Sequence, residues 1–278
     1  MRLRADTGSS GPVMDDLWHL GGGCAQSRLN AVTSGGSIMT TAEIASSWLQ
    51  HDDEVVVPVE HVELAGHLRV PMRPTGVVVF AHGSGTDRNS PRNKYLAGLL
   101  AGQQLATLTI DLLMPAETID RAPIFDVGRL GRRLTAGHSW LQRSPIFQEL
   151  PVGYFGAGSD APVALWAAAE SRDTVRAVVV RGGRPDLAGE RLHEVLAPTL
   201  FLVGGHDQRV RAANHRAAER MRCEHRVTEL TAPGHVWGEP RLTRWAAYLA
   251  AVWFTKHLTE NALMSETSRI ESGPARTS

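Results

Sequence analysis

Gly153-Tyr154-Phe155-Gly156-Ala157-Gly158-Ser159-Asp160-Ala161 is the stretch that decides the fold. It begins as an apolar run and passes through small residues. It then opens into Val163, Ala164 and Trp166, which read as the start of a helix. A strand that turns sharply into a helix through glycine and alanine is where a nucleophile elbow of the form G-x-S-x-G belongs, because only small neighbours fit around such a strained turn. Aligned on the strand, Gly156 takes the first glycine, Gly158 the nucleophile position and Asp160 the final glycine. Aligned one residue later, small residues still flank both sides and Ser159 becomes the nucleophile. Ser159 also suits an ordinary helix-cap serine, and both alignments stay open.

Working outward, the flanking sequence alternates between two periods. Gly76 to Ala81, Leu105 to Ile110, Val152 to Phe155, Ala177 to Val180 and Thr199 to Val203 are short continuous apolar runs. Runs of that kind suit strands buried on both faces. Arg226 to Leu230 reads as a last strand towards an edge, and Val55–Val59 with Glu63–Val70 reads as a β-hairpin around Gly66. Between them lie helical stripes. Pro91 follows Ser90 at a first turn, and Val127, Leu130, Leu134 and Leu141 recur at intervals of 3, 4 and 7. The series Val210, Ala213, Ala217, Met221 and Leu242, Trp245, Leu249, Trp253 do likewise, and these stripes are core faces. Such alternation predicts an α/β fold with a mostly parallel central sheet and helices on both faces. Ligands on such sheets bind at the carboxyl ends of the strands.

Four turns after strands carry the chemistry. Ala81-His82-Gly83-Ser84-Gly85 is a glycine-rich turn whose backbone N–H groups could face a developing oxyanion. The elbow is second. Third is Val203-Gly204-Gly205-His206-Asp207, where a carboxylate can orient an imidazole or satisfy its own turn. Fourth is Ala232-Pro233-Gly234-His235, a loop histidine placed to act as general base. Elbow, Asp and His in that chain order match an α/β-hydrolase triad. The expected catalytic set is therefore Ser159, Asp207 and His235, with Ser84, Gly85 and Gly158 at the elbow and oxyanion cradle.

The bulk composition agrees. At 278 residues with 42% hydrophobic and 21% charged residues, the chain resembles an average soluble protein with a full-sized core. Lys+Arg and Asp+Glu are both 29, which gives no reason to expect nucleic acid or a membrane as partner. Two cysteines, Cys24 and Cys223, make no disulfide framework and no metal spacing, so a cytoplasmic protein without metal or cofactor is expected. No secretory signal and no apolar run of membrane-spanning length are read. Residues 1–40 are glycine- and serine-rich and are expected to be a disordered tail, with Met39 an alternative start. Residues 41–258 form the domain, and 259–278 are expected to be a second disordered tail.

On Val79–Gly85, Ser90-Pro91-Arg92-Asn93, Gly153–Ala157, Arg181–Leu187, Val203–Asp207 and Pro233-Gly234-His235, the chain resembles the dienelactone-hydrolase-like α/β-hydrolases from about Val55 to Leu258. The resemblance implies Asp207 as acid and His235 as base, with the Ser84 and Ser159 N–H groups as oxyanion hole. It implies Ser or Cys where this chain has Gly158. It also implies hydrolysis of a small-molecule ester or lactone at an open site without a large lid domain, in a protein compatible with homo-oligomers. The alternative is a hydrolase-fold protein that binds or senses a small molecule because Gly158 has replaced its nucleophile. A water activated by His235 and Asp207 is a third route. Arg88, Arg92 and Asn93 could meet an acidic group but read first as solvated or structurally paired residues, and Arg181, Arg184 and Asp186 could line the pocket or pair with one another.

Overall fold

The computed structural model describes residues 49–83, 90–118, 126–204, 207–230 and 240–271. Eight strands form one sheet: β1 (Leu49–Val59), β2 (Val62–Pro71), β3 (Gly76–His82), β4 (Leu105–Asp111), β5 (Val152–Ala157), β6 (Val175–Arg181), β7 (Thr199–Gly204) and β8 (His225–Leu230). Their order is β1-β2-β4-β3-β5-β6-β7-β8. β2 runs antiparallel to both β1 and β4, and every pairing from β4 to β8 is parallel. Among the described residues five α-helices accompany it: α1 (Pro91–Gly102), α2 (Val127–Gln142), α3 (Ala161–Glu170), α4 (Gln208–Glu219) and α5 (Pro240–Glu271).

The apolar runs are strands because both of their faces are covered. Val77, Val79, Tyr154, Val178 and Phe201 enter one buried cluster with Leu130 and Leu134 of α2 and the alanines of α3. The alternate residues Val78, Phe80, Phe155, Val179 and Leu202 enter a second with Leu96 of α1 and Phe254 of α5. Successive strand residues point to opposite faces, so a run apolar at every position fills both layers. Chain order departs from spatial order at β3, which lies between β4 and β5. The turns after β3 and β5 therefore emerge side by side at the carboxyl ends.

Two expectations need correction. The β1–β2 hairpin turns at Glu60 and His61, with Glu60 at φ 51°, and Gly66 sits inside β2 opposite Val55 and Ile110. The alternation of Val55–Val59 continues to the end of the strand, so the turn waits for the polar pair. The expected C-terminal tail at 259–278 is also too long, because α5 continues to Glu271. Nothing from Leu258 to Glu271 breaks a helix, whereas Gly273 and Pro274 just beyond are stop residues. The expected N-terminal tail, 1–40, lies outside the described residues.

Candidate active site

The elbow forms where the sequence places it, and its register is visible in the backbone. β5 ends at Ala157, a single 3-10 turn covers Gly158–Asp160, and α3 begins at Ala161 with Pro162 in its first turn. Gly158 takes the left-handed conformation, φ 62°, which costs an ordinary L-residue about 1–2 kcal/mol. The strained residue of the strand-to-helix turn is thus Gly158, and exposed Ser159 follows it inside the 3-10 turn. A Cβ built on Gly158 would find no atom of the described residues within 4 Å.

Its neighbours are crowded instead. A Cβ on Gly156 would lie 2.4 Å from the Asp160 carbonyl oxygen, so the strand end and helix start are in direct backbone contact. Beyond β6, Gly182 and Gly183 both have positive φ. A Cβ on Gly183 would lie 1.7 Å from the Gly158 carbonyl oxygen. That turn is held by the Gly182 N–H on the Leu202 carbonyl, 2.8 Å, and by Asn214 of α4, whose Nδ2 donates to the Gly183 carbonyl, 3.3 Å.

Asp160, in the final-glycine place, is buried, and its Oδ1 accepts from the Gly83 N–H at 2.9 Å. The elbow is thereby bonded to the turn after β3. Next to that turn, buried His82 stacks on Phe80, and its Nε2 lies 3.1 Å from Nδ2 of buried Asn93 in α1.

Asp207 is the N-cap of α4; its Oδ1 accepts from the N–H groups of Arg209, 3.0 Å, and Val210, 3.1 Å. The capping role weighed from sequence is therefore present, at the carboxyl end of β7 where a triad acid would stand. Ser84, Gly85 and His235 lie outside the described residues, as do Arg88 and His206. Arg184 and Asp186 pair with each other, Nε to Oδ1 2.7 Å, whereas Arg181 turns inward over the Phe155 ring. Asp160 and Asn214 were given no role from sequence: their partners are 77 and 31 residues away, and no local pattern announces either contact. Among the described residues, no group of three or more His, Cys, Asp or Glu could hold a metal ion, and no helix is long and apolar enough to cross a membrane.

The fold and this arrangement define an α/β-hydrolase, and comparison with known proteins narrows the class. The crystal structure of a dienelactone hydrolase from Anabaena variabilis ATCC 29413 superposes with a TM-score of 0.72 at 46% identity, over 76% of this chain and 99% of that one. The thermophilic carboxylesterase EstE1 from a metagenomic library, at 12% identity and a TM-score of 0.61, shares the fold over 77% of this chain and 93% of its own. The chain therefore belongs to the dienelactone hydrolase family of α/β-hydrolases. Proteins of Mycobacterium tuberculosis strains CDC 1551 / Oshkosh and H37Rv with the provisional name phosphoribosyl transferase are 49% identical over 207 residues, 74% of this chain. The chain spans about half the length of these curated relatives, 47%. No family profile matches it.

Proposed function

We propose that this chain binds a small carboxylic ester, a lactone or the corresponding acid at the carboxyl end of its sheet without forming an acyl-enzyme at the elbow. One observation carries the reading: Gly158 occupies the left-handed elbow position, and no atom of the described residues stands within 4 Å of where a side chain would begin. Covalent acyl transfer needs a side-chain oxygen or sulfur at the reacting position, activated by a neighbouring base. Glycine offers neither. What remains is the carboxyl end of the sheet, where the Gly158 turn lies against the Gly182–Gly183 turn, with Asp207 and His235 as the groups proposed to orient a carbonyl or carboxyl group. The test is turnover of p-nitrophenyl acetate. The parent is expected to match its own His235→Ala variant, and Gly158→Ser is expected to acquire activity that depends on His235. Parent activity that requires His235 would overturn the reading.

A second reading rests on the exposure of Ser159 beside Gly158. In it, His235 takes the Ser159 proton, Asp207 holds the imidazole, Ser159 attacks an ester or lactone carbonyl, and the Ser84 and elbow N–H groups hold the oxyanion. A fluorophosphonate adduct mapped to Ser159 in the folded parent would establish this reading and remove the first. An unlabelled parent beside a labelled control hydrolase would remove this one.

A further inference from the structure

Among the described helices α5 is the longest, 32 residues from Pro240 to Glu271. One face of it is core, where Leu242, Ala246, Ala250, Phe254 and Leu258 are buried. The opposite face is apolar as well. Trp245, Tyr248 and Val252 are 39%, 52% and 48% exposed, and the Trp245 and Tyr248 rings stack with centroids 5.5 Å apart. A helix on the surface of a monomer normally turns a polar face to water.

The exposed stripe has a symmetry of its own. Arg241, Trp245, Tyr248, Val252 and Lys256 recur at intervals of 4, 3, 4 and 4, and the same rhythm carried to the helix end meets positions 259, 263, 266 and 270. These positions are symmetric about the middle of α5. A second α5 laid antiparallel therefore sets position 241 opposite 270, 245 opposite 266, 248 opposite 263 and 252 opposite 259.

Charge selects the same arrangement. From Pro240 to Thr259 the helix sequence holds Arg241, Arg244 and Lys256 and no Asp or Glu. From position 260 to its end it holds Glu260, Glu266 and Glu271 against Arg269 alone. The macrodipole of a lone helix asks for the reverse, acids at the N-terminus and bases at the C-terminus. Lys256 pairs with Glu224 at 3.3 Å, whereas among the described residues no carboxylate pairs with Arg241 or Arg244. An antiparallel copy resolves the conflict, because its acidic half runs along the basic half of the first helix and its dipole points the other way.

We propose that the exposed face of α5 takes a second copy of this chain, α5 against α5, about a two-fold axis through the middle of the helix. Such a contact uses one self-complementary patch on both subunits, with Trp245 and Tyr248 as its anchors. It is independent of what the carboxyl end of the sheet binds.

Sedimentation equilibrium of the full chain tests it. One helix per subunit makes a small interface, so a monomer–dimer equilibrium with a dissociation constant on the order of 10 μM is expected. Tyr248→Ala, at an exposed position, should raise that constant at least about tenfold. Arg241→Glu with Arg244→Glu should weaken self-association at least about tenfold, and so should Glu266→Lys with Glu271→Lys, because each sets like charges against each other. Both double variants suit the helix dipole better than the parent does, so neither loss reflects a melted helix. Mixed in equal amounts, the two should associate within about threefold of the parent, since acid then meets base at both ends. A parent still monomeric at on the order of 200 μM, a dimer unmoved by Tyr248→Ala, or a mixture no tighter than its parts would overturn the proposal. So would a chain that stays monomeric and instead sediments with phosphatidylserine vesicles unless Arg241 and Tyr248 are replaced, which would make the face a membrane contact.

Discussion

Substituting alanine at three glycines of the site should give three very different losses of stability. At Gly158 the new Cβ meets nothing among the described residues within 4 Å, so the cost is that of the left-handed backbone, about 1–2 kcal/mol. For a domain of this size that is a fall in melting temperature of roughly 3–6 °C. At Gly156 the Cβ would lie 2.4 Å from the Asp160 carbonyl oxygen and 2.9 Å from the Ala164 Cβ. The first residues of α3 must then shift, at a cost of about 3 kcal/mol. At Gly183 the Cβ would lie 1.7 Å from the Gly158 carbonyl oxygen and 2.5 Å from its carbon. Both are backbone atoms, and Gly183 has φ 69°, so the loss should exceed about 4 kcal/mol, the range of severe core lesions. Gly158→Asn should cost less than Gly158→Ala, because asparagine tolerates positive φ. Thermal and urea unfolding followed by tryptophan fluorescence would rank the variants. A Gly158→Ala variant as damaged as Gly183→Ala would show that the elbow has no room, and one more stable than the parent would show that residue 158 is not left-handed; either refutes the reasoning.

The remaining predictions concern charge. Burial lowers the pKa of His138 to about 4, so the unfolded chain takes up a proton that the folded one refuses. Stability should therefore decline by about 3 kcal/mol as pH falls from 6.5 towards 4, and His138→Gln should flatten that slope in denaturation curves. Glu117 acts with the same sign lower on the pH scale: its hydrogen bond from Arg133 holds its carboxyl down at about 2, so its contribution is complete above about pH 4.5 and is lost as pH falls towards 2. Glu117→Ala leaves buried Arg133 with the Leu112 carbonyl, 2.7 Å, as its acceptor among the described residues, and should cost about 3–5 kcal/mol at neutral pH by urea titration. Asp160→Gly removes the acceptor of the Gly83 N–H and should cost about 1.5–3 kcal/mol. The Gly83 amide should then exchange with deuterium faster than in Asp160→Asn, which keeps an oxygen to accept the bond.

Much of this architecture was legible in the residues, for identifiable reasons. Strands buried on both faces leave unbroken runs such as Val77–Ala81 and Thr199–Val203, and few other elements of that length do. Pro91 and Asp207 mark the helix starts because capping and proline geometry are local. The register of the elbow was not legible. Gly156, Ala157, Gly158 and Ser159 are all small, and composition does not say which one adopts positive φ. The surroundings of Arg181 were hidden for a different reason. Its place over the Phe155 ring, guanidinium carbon 5.7 Å from the ring centroid, is a contact between neighbouring strands that no local pattern announces. The α5 boundary failed because a polar composition was read as disorder, although it contained no residue that stops a helix.

The vacant position at Gly158 also bears on ancestry. Two of the four glycine codons, GGU and GGC, lie a single base change from serine and from cysteine codons, the two residues the family resemblance implies for this place. Among the described residues nothing stands within 4 Å of a Cβ at this place, so the divide between glycine and either residue asks for a side chain and not for a rebuilt loop. A lineage carrying this chain could cross that divide in either direction while its sheet, its helices and the crevice between them stayed as they are.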